Sequence, residues 1–203
     1  MEKAQSSASD TAKWTIMAYM AGDNNLDGAA LRDIEEMAQA GSTKDVNVLV
    51  QLDRLEDKQT RRFRITMGGG YESDCLETFG ETNTGDPKIL EDFLKWSIER
   101  YPAERYFLIL WNHGGGWWED ARSRAGAPQP LTGTPRRKRY NPLFRKNAVA
   151  LGNSNHSSIC YDDTAGGDAL DNRELKDVLA RTCTLIGGKI DILGMDACLM
   201  TMV

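Results

Sequence analysis

The chain has 203 residues, of which 40% are hydrophobic and 27% charged, and its net charge is -5. This length and balance fit one α/β domain with a single sizeable core. The acidic balance argues against a nucleic-acid binder, whose footprint is usually basic. No apolar run approaches the roughly 20 residues that are needed to cross a bilayer. The four cysteines are widely and irregularly spaced, which indicates neither a zinc site nor a dense disulfide framework.

The amino-terminal third begins with a leader and continues with a strand and a helix. Residues 1–12 are polar and predict a disordered leader, followed by a domain over residues 13–203. Residues 14–20 predict a buried strand, which a polar loop follows. Apolar residues then recur at helical spacing, so we expect a helix to about Ala40 that ends at Gly41.

A second strand, a hairpin strand and another helix come next. Residues 46–52 are apolar and predict a buried strand, whereas the alternation over residues 61–66 predicts a half-exposed strand. Asp86 followed by Pro87 is typical of a helix start. We expect this helix to end at Tyr101, just before a proline.

The remaining elements surround a long insert. Residues 106–113 form an apolar strand that ends in a histidine, and residues 190–198 form another that ends in a cysteine. Between them, residues 120–157 are rich in Gly, Pro, Ser and Asn, as expected of a flexible or functional loop. A short strand over 159–161 and a capped helix over 170–180 complete the pattern. Strands that alternate with helices predict a parallel sheet with helices on its faces.

Two reactive side chains end two of these strands, His113 and Cys198. Ligands of parallel sheets bind at the carboxyl ends of the strands, where these residues would lie together. A histidine can take the proton of a thiol, and the Gly114 N–H beside it could hold the oxyanion of a tetrahedral intermediate. From the pattern alone, both side chains could equally be residues at the edge of the core.

Three separate motifs carry a family resemblance. They are residues 14–26 (WTIMAYMAGDNNL), residues 111–117 (WNHGGGW) and residues 195–200 (MDACLM). Together they closely resemble the clostripain-like cysteine peptidases and, more widely, the caspase clan. The resemblance implies a caspase-like three-layer α/β sandwich with a mostly parallel central sheet. It also implies that His113 is the catalytic base and Cys198 the nucleophile.

The resemblance also implies a substrate class. Members of this family cleave after arginine or lysine, and Asp196 matches the acidic position that helps to bind the basic side chain. A carboxylate in a pocket pairs well with a guanidinium or an ammonium group. A capping role at the end of the strand is the alternative for Asp196. A second acidic contributor would lie in a C-terminal remainder of the protein, so we expect the domain to be incomplete at Val203.

Self-processing is a further implication of the resemblance. Such enzymes typically cut themselves at a basic site between the histidine and the cysteine, where this chain has basic residues at 136–139 and 145–146. We expect the cut at Lys146, ahead of Arg139. The alternatives are a solvated loop that is not processed and, less in keeping with the acidic chain, a nucleic-acid patch. The family resemblance also implies a secreted or cell-surface location.

A cofactor is not required by this hypothesis, although the resemblance implies stimulation by calcium. Asp162, Asp163 and Asp168 lie in an acidic, turn-like stretch that fails the EF-hand template. A substrate-facing loop and a helix cap explain them better, so no metal ligand is assigned. His156 is expected to be exposed and without a role.

Two other classes of function stay open. The His-Gly-Gly-Gly sequence also resembles the oxyanion loop of α/β-hydrolase esterases, but the sequence lacks their Gly-x-Ser-x-Gly nucleophile motif. The other alternative is a non-catalytic binding or scaffold module on the same fold.

Overall fold

The computed structural model describes residues 11–113 and 158–197. The predicted loop over 120–157, with its two processing candidates and His156, lies outside these ranges, as do Gly114 and Cys198. In chain order the elements are β1 (Ala12–Gly22), α1 (Asp27–Ala40), β2 (Val46–Arg54), β3 (Gln59–Arg64), β4 (Cys75–Thr78), α2 (Pro87–Arg100), β5 (Ala103–Asn112), β6 (Ser158–Asp162), β7 (Asp168–Asp171), α3 (Asn172–Ile186) and β8 (Ile192–Ala197).

A mostly parallel sheet forms the centre of the fold. Its strand order is β4-β3-β2-β1-β5-β8, and β6 pairs with β7 in a separate hairpin. Strands β1, β2, β5 and β8 run parallel, while β3 and β4 add an antiparallel edge. The predicted parallel sheet with flanking helices is therefore confirmed.

The side chains of β1 show how the two faces of the sheet are covered. Met17 and Tyr19 belong to the core that packs against α2 and α3. Ala18 and Met20 belong to a second core that packs against α1. Successive strand residues point to opposite faces, so one apolar strand supplies both cores and the fold has three layers.

Local signals in the sequence set the limits of the first two helices. Gly41 has φ +60°, and a Cβ there would lie 2.1 Å from the backbone nitrogen of Met67. Glycine therefore ends α1 as predicted. The side chain of Asp86 accepts a hydrogen bond from the N–H of Lys88 and caps α2, which begins at Pro87. None of the helices within the described ranges is long and apolar enough to span a membrane.

Two elements differ from the sequence prediction, and a third starts earlier. The helix predicted over 170–180 begins at Asn172, because Leu170 and Asp171 pair with β6. It continues to Ile186 and ends at Gly187, which has the left-handed conformation. Strand β3 is more buried than predicted. Arg62 is only 5% exposed, and its guanidinium donates hydrogen bonds to the side chains of Gln51 and Asp92. Strand β1 starts at Ala12, the last residue of the predicted leader.

Candidate active site

His113 follows the last residue of β5, at the carboxyl edge of the parallel sheet. Strand β5 lies between β1 and β8, and its residue Asn112 is opposite Ala197 of β8. In the sequence, Ala197 is followed by Cys198 and Asn112 by His113. The register therefore confirms that the histidine strand and the cysteine strand are parallel neighbours.

Two asparagines fix the backbone around this edge. The Asn112 amide donates to the carbonyls of Ala21 and Tyr161, and its oxygen accepts from the N–H of Tyr161 at 3.2 Å. The Asn24 amide donates to the same two carbonyls at 2.9 and 3.2 Å. These bonds connect the ends of β1 and β5 to β6, so the position of His113 rests on a rigid frame.

The imidazole of His113 is held by Asn25, in the loop after β1. His113 Nε2 lies 2.7 Å from Asn25 Oδ1. An amide oxygen only accepts hydrogen bonds, so Nε2 carries the proton and Nδ1 is left to act as a base. Burial lowers the pKa of His113 below its ordinary value of 6.5, and the charge of Asp163 opposes this shift. The ring is thus suited to accept a proton at neutral pH.

Asp196 lies in β8, opposite Trp111 of β5. Neighbouring strand residues that are opposite in register share a face, so Asp196 is on the α1 side of the sheet. Its side chain is exposed, and no lysine or arginine within the described ranges forms an ion pair with it. This carboxylate can therefore pair with a cation from outside the described part of the chain.

The other three cysteines, Cys75, Cys160 and Cys183, are free thiols, as expected from their spacing. Cys160 is completely buried in β6, and burial raises the pKa of its thiol well above the ordinary value. A thiol that resists ionisation is a poor nucleophile. Cys160 is therefore not a candidate for a catalytic nucleophile.

Beside the candidate active site lies an acidic cluster, which consists of Asp23, Asp53, Glu81 and Asp162. One oxygen from each residue lies within 4.8 Å of the others. Burial and the charges of Glu81, Asp162 and Asp23 raise the pKa of Asp53 to about 7, against an opposing hydrogen bond from Thr60. Burial, followed by Asp23, also raises the pKa of Asp162.

Sequence reasoning found only part of these surroundings. It singled out Asp162 but not its three cluster partners, and Asp163 and Asp168 are outside the cluster. Asp23 follows a predicted parallel strand and Asp53 ends another. Because ligands bind at the carboxyl ends of such strands, these positions could have marked both residues as site candidates. Asn25 belongs to the first family motif, but no pattern in the sequence connected it with His113.

A sequence profile described as the clostripain family matches residues 18–127 and 147–203. The chain belongs to the clostripain family. Both His113 and Cys198 fall within the matched segments of that family, whereas residues 128–146, with Arg139 and Lys146, fall between them. The predicted family membership is confirmed.

One relative within this family is clostripain from Hathewaya histolytica. It is 29% identical over 214 residues, which cover 93% of this chain and 34% of clostripain. The chain therefore spans about a third of the length of this relative.

Solved structures of related proteases share the fold. A secreted cysteine protease from Bacteroides thetaiotaomicron, in complex with an irreversible peptide inhibitor, matches with a TM-score of 0.61 at 21% identity, covering 93% of this chain and 43% of that one. A second structure from the same organism, called iotapain, has a TM-score of 0.61 at 14% identity and covers 94% and 47% of the two chains. These matches confirm the three-layer sandwich that the clostripain resemblance implied.

Proposed function

We propose that the protein is a cysteine endopeptidase that cleaves after arginine or lysine, with Cys198 as nucleophile and His113 as base. The observation that carries this proposal is the placement of His113. It follows β5, its Nε2 is held by Asn25, and its strand pairs with the strand that leads to Cys198. Membership of the clostripain family supports the same roles.

The proposed reaction has two steps. Nδ1 of His113 takes the thiol proton of Cys198, and the sulfur attacks the carbonyl carbon of the substrate. The N–H groups of Gly114 and Cys198 hold the oxyanion while the C–N bond breaks, and the imidazolium protonates the leaving amine. His113 then deprotonates a water molecule, which hydrolyses the thioester, releases the acid and restores the thiol.

Asp196 is the proposed contact for the basic side chain of the substrate. It is exposed, precedes the nucleophile by two residues and has no cationic partner in the described ranges. A carboxylate in this position favours guanidinium or ammonium groups by charge-assisted hydrogen bonds. The proposed substrates are proteins or peptides with basic residues.

Self-processing and location extend the proposal. Lys146 and, next, Arg139 are the proposed cleavage sites, because both are basic and lie in the segment between the two family matches. A secreted or cell-surface location would suit an endopeptidase of this family. The Bacteroides thetaiotaomicron neighbour is described as secreted.

The test compares wild type with Cys198→Ala and, as a matched thiol control, Cys183→Ala. Each full chain is incubated with fluorogenic peptides that end in Arg, Lys, Asp or Leu, and its mass is then measured. We expect wild type and Cys183→Ala to hydrolyse the Arg and Lys peptides and to be cut near Lys146 or Arg139. Cys198→Ala should lose at least about 1,000-fold in activity and stay uncut.

A different result would lead to the alternative function. If no peptide is hydrolysed and an alkylating inhibitor leaves Cys198 unmodified, the peptidase proposal is wrong and a binding module on this fold remains. Asp196→Asn tests the pocket separately. It should lower kcat/KM for the Arg and Lys peptides by about 10-fold or more, whereas an unchanged kcat/KM would remove Asp196 from the pocket.

A further inference from the structure

Strand β6 has a strained residue at its centre. Cys160 is completely buried and has φ +63°, which lies in the left-handed region that favours glycine. The pairing of β6 with β7 is irregular at this point, because the register shifts between Ile159 and Asp162. Such a bulge turns a strand and releases backbone groups from the ladder, and strained conformations are concentrated at functional sites. The residues that follow Cys160 are therefore able to bind outside the hairpin.

The end of β6 is bound by the end of β5. The N–H of Tyr161 donates to Asn112 Oδ1 at 3.2 Å, and the Tyr161 carbonyl accepts from the Asn112 amide at 3.1 Å. The Asn112 side chain thus takes the place of a strand partner for Tyr161. Because Asn112 immediately precedes His113, this clamp fixes the end of β6 beside the backbone of the histidine.

A second link joins the end of β6 to the loop that holds the imidazole. The N–H of Asp163 donates to the carbonyl of Asp23 at 2.9 Å, and Asp23 precedes Asn25 by two residues. Asn25 Oδ1 in turn lies 2.7 Å from His113 Nε2. Hydrogen bonds therefore close a circuit from β6 through the loop after β1 to the end of β5. His113 and Asp163 both belong to this circuit.

Asp163 brings a negative charge to the circuit. Its side chain is exposed, and no lysine or arginine in residues 11–113 and 158–197 forms an ion pair with it. Burial lowers the pKa of His113, and among the described residues Asp163 is the charged group that opposes this shift. The other side chain that faces the ring, Asn25, is neutral.

We propose that Asp163 is the electrostatic partner of His113 and stabilises the imidazolium that forms during the reaction. This inference rests on the proposed peptidase function. When Nδ1 takes the proton of the Cys198 thiol, the S–H bond breaks and the ring becomes positive, while the negative charge passes from the sulfur to the carbonyl oxygen of the substrate. The amide oxygen of Asn25 accepts Nε2–H before and after this transfer, so it does not balance the new charge. The carboxylate of Asp163 balances it and acts through His113.

The size of the effect follows from the exposure of Asp163. A carboxylate in contact with water should change the titration midpoint of a nearby imidazole by about 0.5 pH unit. The ring is fully protonated after the proton transfer, so loss of the charge would withdraw the same stabilisation from the transition state. Half a pH unit is equivalent to about 3-fold in rate.

The first measurement does not require enzymatic activity. In the full chain with Cys198→Ala, NMR of the ring protons gives the His113 midpoint with and without Asp163→Asn, which removes the charge with little change in shape. We expect the midpoint to fall by about 0.5 unit in Asp163→Asn, and to stay within about 0.2 unit in Asp163→Glu, which keeps the charge. Asp168→Asn makes the same change in charge at the start of β7 and should leave the midpoint in place.

The salt dependence of the midpoint provides a second measurement on the same chains. Mobile ions screen the interaction between an exposed charge and its partner. About 1 M NaCl should therefore lower the His113 midpoint of the Cys198→Ala parent more than that of the chain with Asp163→Asn. An equal response of both chains would contradict a direct interaction between Asp163 and the ring.

Peptide hydrolysis then tests the catalytic role. On the plateau of the pH–rate profile for Arg peptides, Asp163→Asn should lower kcat/KM by about 3-fold. The acid limb of that variant should move to lower pH by about 0.5 unit, because the free ring is harder to protonate. A residue that only supports the fold would lower the rate without moving the acid limb.

Three results would overturn the proposal. It is wrong if the midpoint of Asp163→Asn equals that of the parent. It is also wrong if the midpoint falls but the plateau and the acid limb remain those of wild type, since the charge would then act on the resting ring alone. A shifted midpoint in a protein whose wild type cleaves no peptide would instead remove the peptidase function, and the catalytic role of Asp163 with it.

Discussion

At the scale of single residues, the hydrogen bond between His113 and Asn25 has the largest consequence for chemistry. It decides which ring nitrogen carries the proton, and therefore which one is left to accept a proton. The burial that accompanies it disfavours the imidazolium form, which is the form that cannot accept a proton.

The titration of His113 follows from this burial. In the Cys198→Ala chain, where no thiol can interact with the ring, we expect the midpoint of His113 to lie below 6.5. The groups that face the ring in the described structure are Asn25 and Asp163, and only Asp163 favours the charged form. The measurement is an NMR titration of the ring protons, with His156→Gln to assign the two histidines of the chain. A midpoint above 6.5 would show that the charge of Asp163 outweighs burial.

Substitution of Asn25 tests its role as a positioning residue. Asn25→Ala removes the acceptor for Nε2–H, so we expect kcat to fall by about 10-fold with little change in KM. Asn25→Asp restores an acceptor and adds a negative charge, which should recover part of kcat and raise the pKa of His113. The acid limb of the pH–rate profile would then move to higher pH. If Asn25→Ala keeps both the rate and the pH profile of wild type, Asn25 does not position the ring.

At the scale of elements, helix α3 shows what a cap contributes. Asp171 Oδ1 accepts from the N–H groups of Arg173 and Glu174, and Glu174 Oε2 accepts from the N–H of Asp171. This reciprocal capping box satisfies backbone donors that a helix start otherwise leaves without partners.

Asp171→Ala should therefore destabilise the fold by about 1 kcal/mol, which lowers the melting temperature by about 2–4 °C for a domain of this size. Asp177→Ala makes the same change at an exposed position within α3 and should alter stability by less than about 0.5 kcal/mol. Thermal unfolding followed by circular dichroism measures both. Equal melting temperatures for the two variants would mean that the cap does not limit stability.

Elements were predicted well where the signal is local, and less well where it is not. The apolar runs of β1 and β2, the proline start of α2 and the glycine end of α1 are all local signals, and each was confirmed. The start of α3 was missed because Leu170 and Asp171 pair with β6, a contact that helical periodicity does not show. Arg62 was expected at a half-exposed position, but its burial depends on Gln51 and on Asp92 of α2.

The same limit applies to the candidate site. His113, Asp196 and Asp162 could be found because each stands at or near the end of a predicted strand. Asn25 and Glu81 could not, because their roles depend on which loops meet at the carboxyl edge of the sheet. That meeting is set by the tertiary packing of β6 against β1 and β5, which a single sequence does not report.

At the scale of the whole molecule, β1 unites the fold. It pairs with β2 on one side and with β5 on the other, and it supplies both cores. The pairing of β1 with β2 closes a short loop that contains α1. The pairing of β5 with β8 closes a much longer loop of chain, so we expect it to form later in folding.

The strand pairing has a further consequence for a chain that is cut between residues 113 and 158. Strand β8 is hydrogen-bonded to β5, β6 is bound by Asn24 and Asn112, and α3 packs against α2. The two fragments would therefore stay together without a covalent link, as a heterodimer made from one gene product. Unfolding of that heterodimer would become a bimolecular equilibrium, and its midpoint would rise with protein concentration, which the midpoint of the uncut chain does not do.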